Sequence, residues 1–161
     1  MKKKILYIDM DGVVADFDGY IQEHIDRLEL DQEEFGGRDK MVDHICQNNT
    51  DIFHNLKPIK GAINSVKELF GLFDVYFLST PMWDLPDSFT GKRVWLEKQF
   101  GDLVKKRLIL THRKDLSLGH YLIDDRTKNG AGEFTGFHIH FGTEQFPDWE
   151  SVVKFLKQNF E

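Results

Sequence analysis

Two aspartates one residue apart, Asp9 and Asp11, stand where the apolar run Ile5-Leu6-Tyr7-Ile8 ends and Gly12 lets the backbone turn. A buried strand that carries an Asp-x-Asp pair to its C-terminal edge places it where open α/β sheets bind ligands. Two carboxylates so close are costly unless a cation or a proton separates them, so the pair points to a metal, a reaction, or both. Asp-Gly is also a common turn dipeptide, and one Asp-x-Asp-Gly alone is weak evidence. An EF-hand loop fits poorly, because Gly12 falls too early in such a loop and Tyr20 stands where its closing Glu belongs.

Further polar groups close other apolar runs. Ser79 and Thr80 follow Val75-Tyr76-Phe77-Leu78, and their hydroxyls and nearby N–H groups suit a phosphoryl oxygen. Lys114 follows Leu108-Ile109-Leu110, and Asp124 and Asp125 follow Tyr121-Leu122-Ile123. Taken singly, a Ser-Thr-Pro is a turn and a lone lysine is solvated. A tandem Asp at the edge of a buried strand is harder to dismiss, since such charge needs a partner.

These residues need a scaffold, and the hydrophobic pattern supplies one. Strands are predicted over residues 4–8, 74–79, 108–110, 121–123 and 137–141, and helices over 62–73 and 92–100. A last helix carries Trp149, Val152, Val153, Leu156 and Phe160 on one face, with Asp148 as its N-cap. Strands alternating with helices imply an α/β fold with a mostly parallel sheet covered on both faces. From about Asp16 to Leu56 no strand is predicted, and the composition turns charged and helical. Roughly forty residues exceed a normal crossover. The division is therefore a core of residues 1–15 and 58–161 with a small helical cap, 16–57, over the sheet edge. The alternative is a pair of crossover helices without a role in the site.

Composition sets limits. The chain has 161 residues and a net charge of −6, so it fits one domain and lacks the basic face of a nucleic-acid binder. Its lone Cys46 excludes an internal disulfide, and the apolar run behind the N-terminal lysines is too short for a signal peptide or a membrane span. A cytoplasmic setting without membrane contact follows as the expectation, and a homodimer stays open.

Asp-x-Asp, then Ser/Thr, then Lys, then Asp-Asp, each after an apolar strand, resembles the haloacid dehalogenase (HAD) superfamily. That resemblance implies a Rossmann-like core, Mg²⁺ and phosphate-ester hydrolysis through an aspartyl-phosphate. Residues 9–17 (Asp-Met-Asp-Gly-Val-Val-Ala-Asp-Phe), the Pro-Ile-Lys-Gly-Ala run at 58–62, Ser-Thr-Pro, Lys-Arg-Val-Trp-Leu-Glu-Lys from Lys92, and Leu-Ile-Asp-Asp-Arg resemble the 5′(3′)-deoxyribonucleotidase family. The core motifs match best and residues 18–56 poorly. The spacing of basic residues at Thr111-His112-Arg113-Lys114 departs from the family pattern, although Lys114 still fits.

The resemblance implies an Mg²⁺-dependent phosphatase acting on a nucleoside 5′- or 3′-monophosphate, most readily a deoxynucleotide. Asp9 would be nucleophile and metal ligand, and Asp11 the acid/base that also binds metal through its backbone carbonyl. Asp125 would be a metal ligand, with Asp124 acting through water or holding Lys114. Ser79, Thr80, Lys92 and Lys114 would contact the phosphate, and Phe17 the nucleoside. The alternative for Lys92 is a solvated residue, but a lysine in the first turn of a helix opposes the dipole and so needs some other reason to be there. Phe35, Phe53 and Trp83 are further candidates for a wall around a flat base. His138 and His140 share one side of a strand but lack a third metal ligand, so a partly exposed face is expected there. Two readings remain beside the nucleotidase: a phosphatase for another small ester such as a sugar phosphate, and a non-catalytic phosphate-binding module.

Overall fold

Strands buried on both faces read as continuous apolar runs; such runs and the alternating Phe137-His138-Ile139-His140 pair as five strands in the computed structural model, which describes residues 2–160. They are β1 (Ile5–Ile8), β2 (Asp74–Ser79), β3 (Leu108–Leu110), β4 (Tyr121–Asp124) and β5 (Phe137–His140). All pair in parallel in the order β3-β2-β1-β4-β5. The chain winds outward from β1 in both directions, so the C-terminal end of β1 is the switch point where an open sheet leaves a crevice. Ile8 lies in register with Phe77 of β2 and Ile123 of β4, which brings the residues following β1 and β4 to one edge.

Among the described residues six α-helices accompany the sheet: α1 (Phe17–Leu28), α2 (Arg38–Asn48), α3 (Ile52–Asn55), α4 (Ala62–Leu72), α5 (Pro86–Phe100) and α6 (Trp149–Asn159). The two faces are covered unequally. Leu6, Ile8, Val75, Phe77, Ile123 and Ile139 pack into a large cluster with residues of all six helices. On the other face Tyr7, Leu78 and Leu122 pack with Ala131 and Phe134, from a short 3-10 turn and its end, and with the partly buried strand residues Ile5, Tyr76 and Ile109. The connections from β3 to β4 and from β4 to β5 are too short to hold an α-helix, so turns replace the helical layer expected there.

Asp148 caps α6 as its sequence suggests, accepting from Ser151 N–H at 2.9 Å while Ser151 Oγ accepts in return from Asp148 N–H. Helix α5 begins at Pro86, six residues before the expected start. Pro-Asp-Ser reads as a loop, but a proline fits the first helical position, where its missing N–H costs nothing. Lys92 is therefore an interior residue of α5, and the dipole argument for it does not hold.

The chain leaves the core at Ala15 and returns at Pro58, with the two strands of backbone bonded side by side. Asp16 N–H donates to Lys57 O at 2.8 Å, and Ile59 N–H donates to Val14 O at 2.8 Å. Between them lie α1 to α3 without a strand. Ile21, Met41, Ile45, Ile52 and Phe53 of this segment belong to the same apolar cluster as the sheet. Two buried indoles fix the approaches: Trp149 Nε1–H donates to Val13 O at 2.8 Å, and Trp95 Nε1–H to Leu56 O at 2.7 Å.

Helices α3 and α5 meet at Gly91, where an added Cβ would lie 2.8 Å from Phe53 Cβ. Gly91→Ala should therefore push α3 off α5 and cost about 1–3 kcal/mol, as overpacking does. Urea unfolding checks this; unchanged stability would show that the contact yields freely.

Candidate active site

The turn after β1 is built from backbone bonds. Met10 O accepts from the N–H groups of Val13, Val14 and Ala15, and Gly12 N–H donates to Ala15 O at 2.9 Å. Gly12 has φ +77°, which favours glycine, and a Cβ there would lie 2.2 Å from Asp125 Oδ2. Only glycine lets the first aspartate motif approach the last one so closely.

Strand ends then converge. A cavity of about 380 Å³ is lined by Asp9, Asp11, Thr80, Lys114, Asp124 and Asp125 from the sheet edge. Phe17, Phe53, Asp39, Val42 and Asp43 line it from α1 to α3. One carboxylate oxygen from each of Asp9, Asp124 and Asp125 lies within 4.8 Å of the others. The buried Lys114 ammonium stands 3.0 Å from Asp9 Oδ1 and 2.5 Å from Asp124 Oδ2. Asp124 Oδ1 also accepts from Arg126 N–H at 2.9 Å, so both of its oxygens have partners. Asp125 Oδ1 is buried with no partner among the described residues.

The electrostatics follow. Burial pushes the Asp9 carboxyl up to about 7; Lys114 and Lys92 oppose that rise, and Asp124 and Asp11 add to it. Burial likewise pushes Asp125 up to about 6, reinforced by Asp124. Burial pulls the Lys114 ammonium down, but Asp9 and Asp124 more than offset it and its pKa is raised. An orphaned carboxylate oxygen and two acids held above their ordinary range make an oxygen-donor set suited to a hard divalent cation such as Mg²⁺. The side chain of Asp11 lies outside this trio. Its Oδ2 accepts from Lys92 Nζ at 2.6 Å, and its Oδ1 is buried without a partner.

Other expected residues are placed less simply. Lys92 is buried and sits 4.9 Å over the Phe53 ring, its ammonium bonded to Asp11. Thr80 lines the cavity but its hydroxyl donates to Thr111 O at 2.8 Å. Ser79 is buried with an unpartnered hydroxyl and is not among the lining residues. Phe17 stacks on Phe53 with centroids 5.7 Å apart and planes 9° from parallel, so these two aromatics form the wall. Phe35 packs on His44, and Trp83 is exposed against His112, both away from the lining. Asp39, Val42 and Asp43 share one face of α2; an acidic helix face normally signals solvent, and only the folded insert shows otherwise. Arg126, Lys128 and Asn129 also line the cavity, and the sole signal for them is their closeness to Asp125 in sequence. A larger groove of about 820 Å³ runs along α5 and β3 and contains none of the carboxylates.

Comparison with known proteins gives a consistent result. The family described as 5′ nucleotidase, deoxy (pyrimidine), cytosolic type C matches residues 3–150. A Vibrio phage KVP40 protein provisionally named a 5′(3′)-deoxyribonucleotidase is 51% identical over 155 residues, covering 96% of this chain and 85% of its own. A Bordetella bronchiseptica protein with the same provisional name is 30% identical over 137 residues, covering 76% of this chain and 74% of its own. A provisionally assigned HAD-hydrolase from Bacillus subtilis, described as bound to magnesium, superposes with a TM-score of 0.59. That alignment covers 97% of this chain and 99% of the other at 10% identity, and it speaks to the fold alone. The chain therefore belongs to the 5′(3′)-deoxyribonucleotidase family of phosphoric monoester hydrolases.

Proposed function

We propose that this chain hydrolyses nucleoside 5′- or 3′-monophosphates, deoxynucleotides foremost, in an Mg²⁺-dependent reaction through a phosphorylated Asp9. The observation that carries the reading is the trio Asp9, Asp124 and Asp125 with Lys114 between two of them, opposite the stacked Phe17–Phe53 pair. An aromatic wall suits a flat base better than a sugar, which favours a nucleotide over a sugar phosphate. Residues 16–57 serve as the cap over this site, and a cytoplasmic location fits the substrate class. Among the described residues no helix is long and apolar enough to cross a membrane.

Asp9 and Asp125 would hold the cation through side-chain oxygens and Asp11 through its carbonyl, with Asp124 held back by Lys114 and Arg126 N–H. Mg²⁺ supplies charge neutralisation at the phosphoryl oxygens, which lets an anionic nucleophile approach an anionic ester. Asp9 attacks phosphorus, forming an O–P bond as the bond to the nucleoside oxygen breaks. Asp11 gives its proton to that leaving oxygen. Asp11 then takes a proton from water, whose oxygen attacks phosphorus and breaks the bond to Asp9, releasing phosphate. Lys114, Lys92 and the Ser79 hydroxyl, with Thr80 beside them, hold the phosphoryl oxygens as charge spreads over them in the transition state.

Turnover of 5′- and 3′-nucleotides, ribo and deoxy, beside sugar phosphates, tests the substrate class directly. Deoxynucleotides should rank first, and a sugar phosphate turned over faster would refute the assignment. Asp9→Asn should lower kcat by about 10³-fold or more in a chain that still folds; near-normal hydrolysis removes Asp9 as nucleophile. Asp11→Asn should slow nucleotide hydrolysis more than p-nitrophenyl phosphate hydrolysis, whose leaving group hardly needs a proton. Equal losses on both would count against an acid role.

Cation binding should also change how stability depends on pH. Folding raises Asp9 to about 7 and Asp125 to about 6 from an ordinary 3.8, so the folded chain binds more protons than the unfolded one in between. Stability from these groups is therefore greatest below the unfolded value and falls as pH rises through that window. A cation replaces the protons, so the melting-temperature gain with Mg²⁺ over EDTA should be larger at about pH 7.5 than at about pH 5.5. Equal gains at the two pH values, or none, would contradict this account.

A further inference from the structure

The acidic segment after β4 has a second support that the reaction scheme does not use. Asp124 pairs with His140 in the β4–β5 ladder, and the chain bends away at Asp125. Beyond that bend the sheet offers no backbone donor to the Asp125 carbonyl, yet a main-chain carbonyl in a part-buried position needs one. His140 Nε2 lies 3.1 Å from Asp125 O, and no other bond to this carbonyl is found among the described residues. His138, two residues back and so on the same side of β5, places its Nε2 3.1 Å from Asp124 O. The two rings stack with centroids 5.2 Å apart and planes 18° from parallel. Both are half-buried, in keeping with the partly exposed face that the sequence suggests.

A carbonyl oxygen only accepts, so each Nε2 carries a hydrogen and donates. The two bonds are unequal in consequence. Asp124 O also accepts from Phe141 N–H at 3.0 Å, so loss of His138 leaves that carbonyl paired. Asp125 O depends on His140. The Asp125 side chain has little to hold it: its Oδ1 is unpartnered, and Arg126 Nε stands 3.8 Å from Oδ2, too far for a hydrogen bond. Its direction is therefore set mainly by its own backbone and by the space left at Gly12.

We infer that His140 is a positioning residue: by donating Nε2–H to the Asp125 carbonyl it fixes the peptide from which the Asp125 carboxylate projects toward Asp9. This inference rests on the functional reading above, in which Asp125 helps to hold the cation. Hydrogen-bonding groups behind a metal ligand commonly govern metal affinity and activity by about 10–100-fold. His138 steadies the neighbouring Asp124 carbonyl and stacks on His140, with a smaller share.

His140→Gln and His140→Asn separate this role from simple filling of space. The side-chain amide nitrogen of Gln is the same number of bonds from Cα as Nε2 of His, whereas that of Asn falls short. Mg²⁺ affinity by titration calorimetry, kcat and KM for a deoxynucleoside monophosphate, and melting temperature are measured for wild type, both variants and His138→Ala. In H140N, Mg²⁺ affinity and kcat should fall by about 10–100-fold with KM little changed, while H140Q stays within about three-fold of wild type. H138A should lose less than H140N. Gln and Asn variants with equal affinities, or an H140N variant that loses only melting temperature, would overturn the inference. A wild-type chain that binds Mg²⁺ but turns over no nucleotide would sink the functional reading, while the affinity comparison still decides the role of His140. A wild type that binds no Mg²⁺ would overturn both.

Discussion

Lys114 puts one ammonium between Asp9 and Asp124, and on that contact rests the ability of two adjacent strands to end in carboxylates. Asp9, Asp124 and Asp125 bring like charges together at the edge of a buried sheet, where the low dielectric makes repulsion strong. The lysine offsets part of it. Removing one member of such a buried pair typically costs about 3–5 kcal/mol, because the other is left charged and alone. Burial, reinforced by the neighbouring Asp124, still holds Asp9 and Asp125 above their ordinary range. The three carboxylates thus form an oxygen-donor set that suits a divalent cation.

That donor set shapes the surrounding structure. Parallel pairing aligns the ends of β1 and β4, and the bonds around Met10 O turn the chain tightly enough for Asp11 to follow Asp9 into the same cavity. Gly12 leaves the space that the Asp125 carboxylate takes up. Lys92 reaches in from the middle of α5, and its ammonium bonds Asp11 while lying over Phe53. One lysine therefore ties Asp11 to the Phe53 ring. The insert is anchored by the paired backbone at its ends and by Trp95 on Leu56, so the wall faces the carboxylates from a fixed base.

The legible parts of the sequence were those whose signal is local. Asp9, Asp11, Lys114, Asp124 and Asp125 each follow an apolar strand, and strand-end position alone brings them together once the sheet is parallel. The Asp148 cap and the strandless insert were legible for the same reason. What failed depended on tertiary contact. Lys92 looks like a first-turn residue when the helix is started at 92, but α5 begins at Pro86 and the partner of Lys92 is Asp11, far away in sequence. Asp39 and Asp43 resembled any solvated helix face, and Phe53 any core residue, until α2 and α3 were placed over the sheet edge. His138 and His140 carried a visible period-2 pattern, but their acceptors are backbone carbonyls, which no side-chain motif records.

The central claim is that this charge arrangement serves a covalent attack by Asp9. Rapid acid quench during turnover of a deoxynucleoside monophosphate, followed by mass spectrometry of the peptide bearing Asp9, tests it most directly. The account predicts a phosphoryl group on Asp9 in the presence of Mg²⁺ and none when EDTA is present. Turnover with no phosphorylated peptide, or with the phosphoryl group on another residue, would contradict it.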